Sequence, residues 1–319
     1  MKISSRRAAV VAVTTFALVA GPAVWASATL PGRNGLIALR ADIGAGYQIY
    51  TIEGDGTDLR QLTHLPGDAL QPHWSPQGGR ITFEFDPATP QNNDFCNVAL
   101  VNRNGGDVKI LPLANGDQCE AAPTFSADGQ RLFYEGFNGV SRDAIFSMDL
   151  NGEHRRFITS CRGQGVTDPE VSPDGTMLSF TCSSNVGTAL FDAHIDGSHL
   201  RQLTPYSVNV GSKADWSPDG RHIMFISTAN EGTPGAQVNI MTIRPNGSDL
   251  FRVTHYAAGG PLAYGNSYSP DGRWILLRLE RNGEYALCKV QPNGTELTQI
   301  TPFSTFRPRG MAWGSAAPR

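Results

Sequence analysis

Asp196-Gly197-Ser198-His199-Leu200-Arg201-Gln202-Leu203-Thr204, followed by Asp215-Trp216-Ser217-Pro218-Asp219-Gly220-Arg221, is the clearest copy of a phrase that returns along the whole chain. Its second half reappears as Trp74-Ser75-Pro76-Gln77-Gly78, Phe125-Ser126-Ala127-Asp128-Gly129, Val171-Ser172-Pro173-Asp174-Gly175 and Tyr268-Ser269-Pro270-Asp271-Gly272, with a truncated copy at Trp313-Gly314. The spacing is 45 to 52 residues, the period of a four-stranded propeller blade. Its first half opens on Asp55-Gly56, Asn104-Gly105, Asn151-Gly152, Asp196-Gly197, Asn246-Gly247 and Asn293-Gly294. Such dipeptides supply positive φ at low cost, so each predicts a tight hairpin turn.

Strands flank both halves. Ile49-Tyr50-Thr51-Ile52 and Ile240-Met241-Thr242-Ile243 precede the Asn/Asp-Gly turns, and Arg80-Ile81-Thr82-Phe83 and Trp274-Ile275-Leu276-Leu277 follow the Pro-Asp-Gly turns. β-Branched and aromatic residues dominate these runs, and no long stretch has a helical period. The repeat therefore predicts four antiparallel strands: A carries the Trp, B follows Pro-Asp-Gly, C precedes Asn/Asp-Gly, and D ends in Leu-Thr. The last copy stops after one strand, Met311-Ala312-Trp313-Gly314, while Leu36-Ile37-Ala38-Leu39 begins a blade without an A strand. The two ends complete one blade, one strand from the C-terminal end and three from the N-terminal. The expectation is an all-β, six-bladed propeller, closed so that no sheet edge stays free.

In phrase and period the chain resembles the propeller of TolB-type periplasmic proteins, a branch of the WD-like repeat superfamily. The resemblance covers nearly all of residues 29–319. It implies a six-bladed fold, without room here for the separate N-terminal α/β domain that precedes the TolB propeller. Propellers also precede the hydrolase domain of prolyl-oligopeptidase-like enzymes, but no Gly-x-Ser-x-Gly nucleophile elbow appears in this sequence.

Residues 1–28 are expected to be a signal peptide. Lys2, Arg6 and Arg7 form a basic start, Ala8 to Val24 an apolar run, and Ala26-Ser27-Ala28 a cleavage site. Ser5-Arg6-Arg7 leaves the Sec and twin-arginine routes both open. The reading is a secreted, periplasmic or envelope-associated protein, monomeric, with no stable membrane insertion after cleavage. The formal net charge of -3 gives no basic surface for nucleic acid. Five cysteines in an exported chain point to disulfides. Cys96, Cys119, Cys161 and Cys182 all map to the face where D–A and B–C loops emerge. The pairs nearest along the chain are Cys96–Cys119 and Cys161–Cys182, leaving Cys288 as a buried thiol at a position held elsewhere by Tyr50, Phe146, Phe191 and Met241.

Propellers bind at a mouth of the central channel. The residues just before each A-strand aromatic are His73, Thr124, Glu170, Asp215, Ser267 and Ala312, with Gln71, Asp168, Lys213 and Arg309 nearby. The candidate binding set is His73, Asp168, Glu170 and Asp215. One imidazole with three carboxylates predicts a negative mouth, suited to a basic peptide or to a divalent cation held by hard ligands. His64 and His255 occupy equivalent strand ends and are assigned to solvent. The Pro-Asp-Gly aspartates are assigned to their own turns, and Trp74, Phe125, Trp216, Tyr268 and Trp313 to the core between blades. The longest B–C loops, 86–95 and 229–237, lie on the cysteine-bearing face, where recognition is usually placed. The leading function is a non-enzymatic binding or scaffolding propeller with a protein or peptide partner in the cell envelope. The alternative is a metal-dependent propeller enzyme of the lactonase or polysaccharide lyase type, since the fold serves both.

Overall fold

The computed structural model describes residues 31–316 except 43, 45, 89–94, 115, 138–143, 162–164, 212 and 230–233. The expected signal peptide and the central parts of the loops 86–95 and 229–237 lie outside the described residues. Six four-stranded antiparallel sheets follow one another around a ring. Blade 1 joins the two ends: Arg309–Ser315 is its innermost strand, followed outward by Asn34–Asp42, Tyr47–Ile52 and Arg60–Gln61. Ile37 pairs with Trp313 and Ala38 with Ala312 across that seam. The innermost strands of blades 2 to 6 are Gly67–Trp74, Cys119–Phe125, Val166–Val171, Asp215–Trp216 and Leu262–Tyr268. The 1+3 closure read from the sequence is thus the observed topology. Among the described residues no helix is long and apolar enough to cross a membrane.

The recurring residues have structural jobs. Ser126, Ser172, Ser217 and Ser269 each donate to the Asp two residues on, at 2.6 Å. Each also accepts the N–H five residues on, which opens the B strand. The A–B turn is thereby closed from both sides. The Thr of Leu-Thr fastens strand D to strand C. The Oγ1 atoms of Thr63, Thr204, Thr254 and Thr301 accept the backbone N–H of Ile49, Leu190, Ile240 and Leu287, each at 2.9 Å. The glycine of Asp196-Gly197 has a φ of +86° and lies against the Ile158 carbonyl at the end of the preceding blade's D strand. A Cβ there would overlap that oxygen. Gly56 sits the same way on Ile300, across the seam between blades 1 and 6. The first half of the phrase thus links successive blades, these turns seating on the D-strand end of the blade before.

The A-strand aromatics fill the space between blades. Phe125, Trp216 and Tyr268 are essentially fully buried, and Trp74 and Trp313 nearly so. The Trp216 indole N–H donates to Ser179 Oγ at 3.0 Å and that of Trp313 to the Gly35 carbonyl at 3.0 Å. Cys96–Cys119 and Cys161–Cys182 are disulfides. Cys119 begins the innermost strand of blade 3. Cys288 is buried among the blade 5–6 core residues as a free thiol, and burial pushes its pKa up to about 11. It acts as a small hydrophobe.

Candidate functional site: the channel and its mouth

Each innermost strand of blades 2, 3, 4 and 6 slips register against its neighbour just before its last turn of pleat, between Leu70 and His73, Ala121 and Thr124, Thr167 and Glu170, and Gly265 and Ser267. Such bulges re-aim the side chains that follow. Gln71, Ala122, Asp168 and Lys213 take left-handed backbone, with φ of 47°, 46°, 54° and 67°. For residues with a Cβ this is strained, of order 1 kcal/mol or more each. The strained positions ring the channel and leave His73, Thr124, Glu170, Asp215, Ser267 and Ala312 as one layer beneath them.

That layer is bonded to itself. His73 Nε2 lies 3.0 Å from Glu170 Oε2, reaching from blade 2 past blade 3 to blade 4. Thr124, between them, donates to the same Glu170 oxygen at 3.1 Å. Asp215 Oδ2 accepts the Tyr268 N–H at 2.6 Å, and Ser267 Oγ accepts the Trp313 N–H at 3.1 Å. These two side chains stitch neighbouring blades together. Burial, and then the Glu170 charge, push the Asp215 carboxyl up to about 7. Burial also raises Asp168, against the nearby Lys213 ammonium, which lowers it. Lys213 Nζ donates to the Pro72 carbonyl at 3.4 Å, from blade 5 to blade 2. All four candidate residues are buried, at 3 to 7% exposure.

Of the sequence-predicted set, His73 and Glu170 are brought into contact. Asp215 is close enough to Glu170 to feel its charge, and Asp168 stands with Lys213 in the strained ring. No three of the four place their donor atoms within 4.8 Å of one another. The described triads that do so are Glu84–Asp86–Cys96, whose cysteine is in a disulfide, and the surface turn group Asp149–Glu153–His154. The four residues therefore do not present the convergent donor set a divalent cation needs.

The open mouth has the opposite character from the one expected. A cavity of about 230 Å³ is lined by Arg40, Lys213, Arg278, Arg307 and Arg309, together with Gln71, Tyr264 and Asn266. Of the carboxylates expected to make it negative, Glu170 and Asp215 lie in the bonded layer below, where Asp215 holds its proton up to about pH 7, and Asp168 stands in the strained ring against the Lys213 ammonium. The mouth is cationic. The Nε atoms of Arg40, Arg278, Arg307 and Arg309 are buried without a hydrogen-bond partner. Burial and the charge of Arg307 pull Arg278 down to about 10, and burial and the charge of Arg309 lower Arg40. Nearby, Glu84 accepts from the Gln71 amide at 3.2 Å, and burial together with the charge of Asp86 pushes it up to about 7. Reading only the starts of the A strands missed this. Arg40 and Arg278 come from B strands and Arg307 from the D–A connection into blade 1. The signal was an Arg inside two B strands, Arg40 in the second half of one and Arg278 at the middle of the other.

The hydroxyls of the turn serines Ser126, Ser172, Ser217 and Ser269 are spent on their aspartates. His64 and His255 are exposed at strand ends, as assigned.

A closed ring of six four-stranded blades around a polar channel defines the class: a six-bladed β-propeller. The sequence profile of the TolB beta propeller domain matches residues 90–309, and the chain belongs to that family. A segment is 29% identical over 138 residues to the protein TolB homolog of Chlorobium luteolum, covering 42% of this chain and 28% of that protein. The Tol-Pal system protein TolB of Ruegeria sp. is 26% identical over 126 residues, 38% of this chain and 27% of its own length. The matched segments thus span under a third of those relatives. The crystal structure of TolB from Acinetobacter baumannii superposes with a TM-score of 0.71 at 17% identity, covering 88% of this chain and 67% of that one.

Proposed function

We propose that this chain is an exported, non-enzymatic binding propeller that engages a protein or peptide partner at the loop-bearing mouth of its channel. One observation carries the reading. The layer beneath the mouth is closed by side chains bonded to one another, whereas the mouth itself holds charged side chains with unused hydrogen-bond donors. A rigid ring that spends its polar groups internally at depth and leaves them unspent at an open rim is built for recognition at that rim. The relatives' names, which place them in a Tol-Pal system, favour a protein partner in the cell envelope. The two disulfides fit an oxidising compartment and hence export. The signal peptide at residues 1–28 and the mature propeller from residue 29 complete this assignment.

The test is affinity capture from native cell envelope with the purified mature chain. Wild type is expected to retain a specific partner, and Arg307→Trp, which fills the mouth from a half-buried position, to lose it without a change in melting temperature. Equal capture by both proteins would move the site off the mouth.

A further inference from the structure

The mouth's charge and unpaired donors say more than that something binds there. Five cationic side chains line the cavity, and no described carboxylate is among its lining residues. Arg278 is 95% buried, with 5% of its surface exposed, and its Nε has no partner. Its other contacts are long: 3.5 Å to the Pro308 carbonyl and 3.5 Å to Glu280. Glu280 is also 3.7 Å from Arg307, so one carboxylate at loose distance serves two guanidinium groups. A buried cation with unmet donors is unfavourable until an anion arrives. The guanidinium fork matches a carboxylate in two parallel hydrogen bonds.

These arginines are held in place before any ligand binds. Arg278 stacks 4.1 Å over the Tyr264 ring and Arg307 4.8 Å over the Tyr285 ring. Little side-chain entropy remains to be lost on binding. Glu280 already cancels part of the charge, which suits singly charged carboxylates better than a phosphate dianion. A space of about 230 Å³ takes one or two side chains, not a folded surface.

We propose that the mouth captures an acidic peptide segment, with Asp or Glu carboxylates seated among Arg40, Arg278, Arg307 and Arg309. This rests on the mouth being the partner site proposed above.

The experiment measures binding of a fluorescent hexa-aspartate peptide to the mature chain by anisotropy, with hexa-lysine, inorganic phosphate and oligogalacturonate as alternatives. Arg278→Gln risks the fold because that side chain is buried. Arg307→Gln and Arg309→Gln, both half-buried, are the working variants, each checked for an unchanged melting temperature. Hexa-aspartate is expected to bind, to lose at least tenfold in affinity in the double variant, and to weaken with salt. Three outcomes overturn the proposal: preference for hexa-lysine, phosphate binding that excludes the peptide, or oligogalacturonate binding where hexa-aspartate fails. Should hexa-aspartate fail while Arg307→Trp still abolishes envelope capture, the acidic segment is refuted and the mouth stands. Failure of both refutes the mouth as well.

Discussion

Asp215→Asn should change how stability depends on pH, in a direction fixed by the burial of that carboxyl. The side chain is 3% exposed, and burial and Glu170 together raise its pKa from 3.8 to about 7. In the unfolded chain it releases its proton near pH 4. Between about pH 4 and 7 the folded protein therefore holds a proton that the unfolded chain has lost. Stability is fully retained below the unfolded value and falls as pH rises through the folded one. The slope for one such proton is at most about 1.4 kcal/mol per pH unit. Asparagine keeps an oxygen for the Tyr268 N–H, bonded at 2.6 Å in the wild type, and cannot ionise. Urea denaturation followed by tryptophan fluorescence at pH 5, 6, 7 and 8 measures the effect. The variant is expected to gain on wild type with each step up to pH 7 and to hold its advantage at pH 8. Parallel curves, or a variant that falls behind as pH rises, would refute the argument that Asp215 is held protonated by its surroundings.

Three further outcomes follow from the fold. Deleting residues 309–319 removes the innermost strand of blade 1 with its buried Met311, Ala312 and Trp313, and should abolish the cooperative unfolding transition; an unchanged calorimetric transition contradicts closure. Thr254→Val strands the buried Ile240 N–H, bonded at 2.9 Å in the wild type, and should cost about 1–3 kcal/mol in urea titrations, whereas a loss below about 0.5 kcal/mol would mean the Thr does not fasten strand D. Replacing Cys161 and Cys182 together by Ala opens a loop with a sequence separation of 21, which in the loop-entropy account is worth about 3 kcal/mol; peptide mapping under non-reducing conditions should find Cys288 as the free thiol.

The fold was legible because the same phrase had to solve the same problem in every blade. Ser172 and Asp174 close a turn, Thr204 ties strand D to strand C, and Gly197 seats against the blade before it. Each job leaves a residue type at a fixed spacing, and six copies make the pattern unmistakable. Pairing of the cysteines was legible for a related reason, since the strand order sets which face each occupies. The channel layer could be located from the position before each aromatic. Its chemistry could not be read there, because formal charge misrepresents a group such as Asp215, which burial holds neutral to about pH 7. The mouth's arginines were hidden by their origins. Arg40 and Arg278 sit in different blades' B strands, and only the ring's closure brings them to one cavity with Arg307 and Arg309.

Site-directed photo-crosslinking in the native envelope tests partner recognition at the mouth most directly. A photoreactive amino acid at Thr305, exposed in the connection that carries Arg307 into the mouth, reports on the mouth, and one at Phe157, 61% exposed on the outermost strand of blade 3, reports on the outer rim. A specific crosslinked partner at position 305 and none at position 157 is the predicted result. Crosslinking at 157 with none at 305 would contradict it.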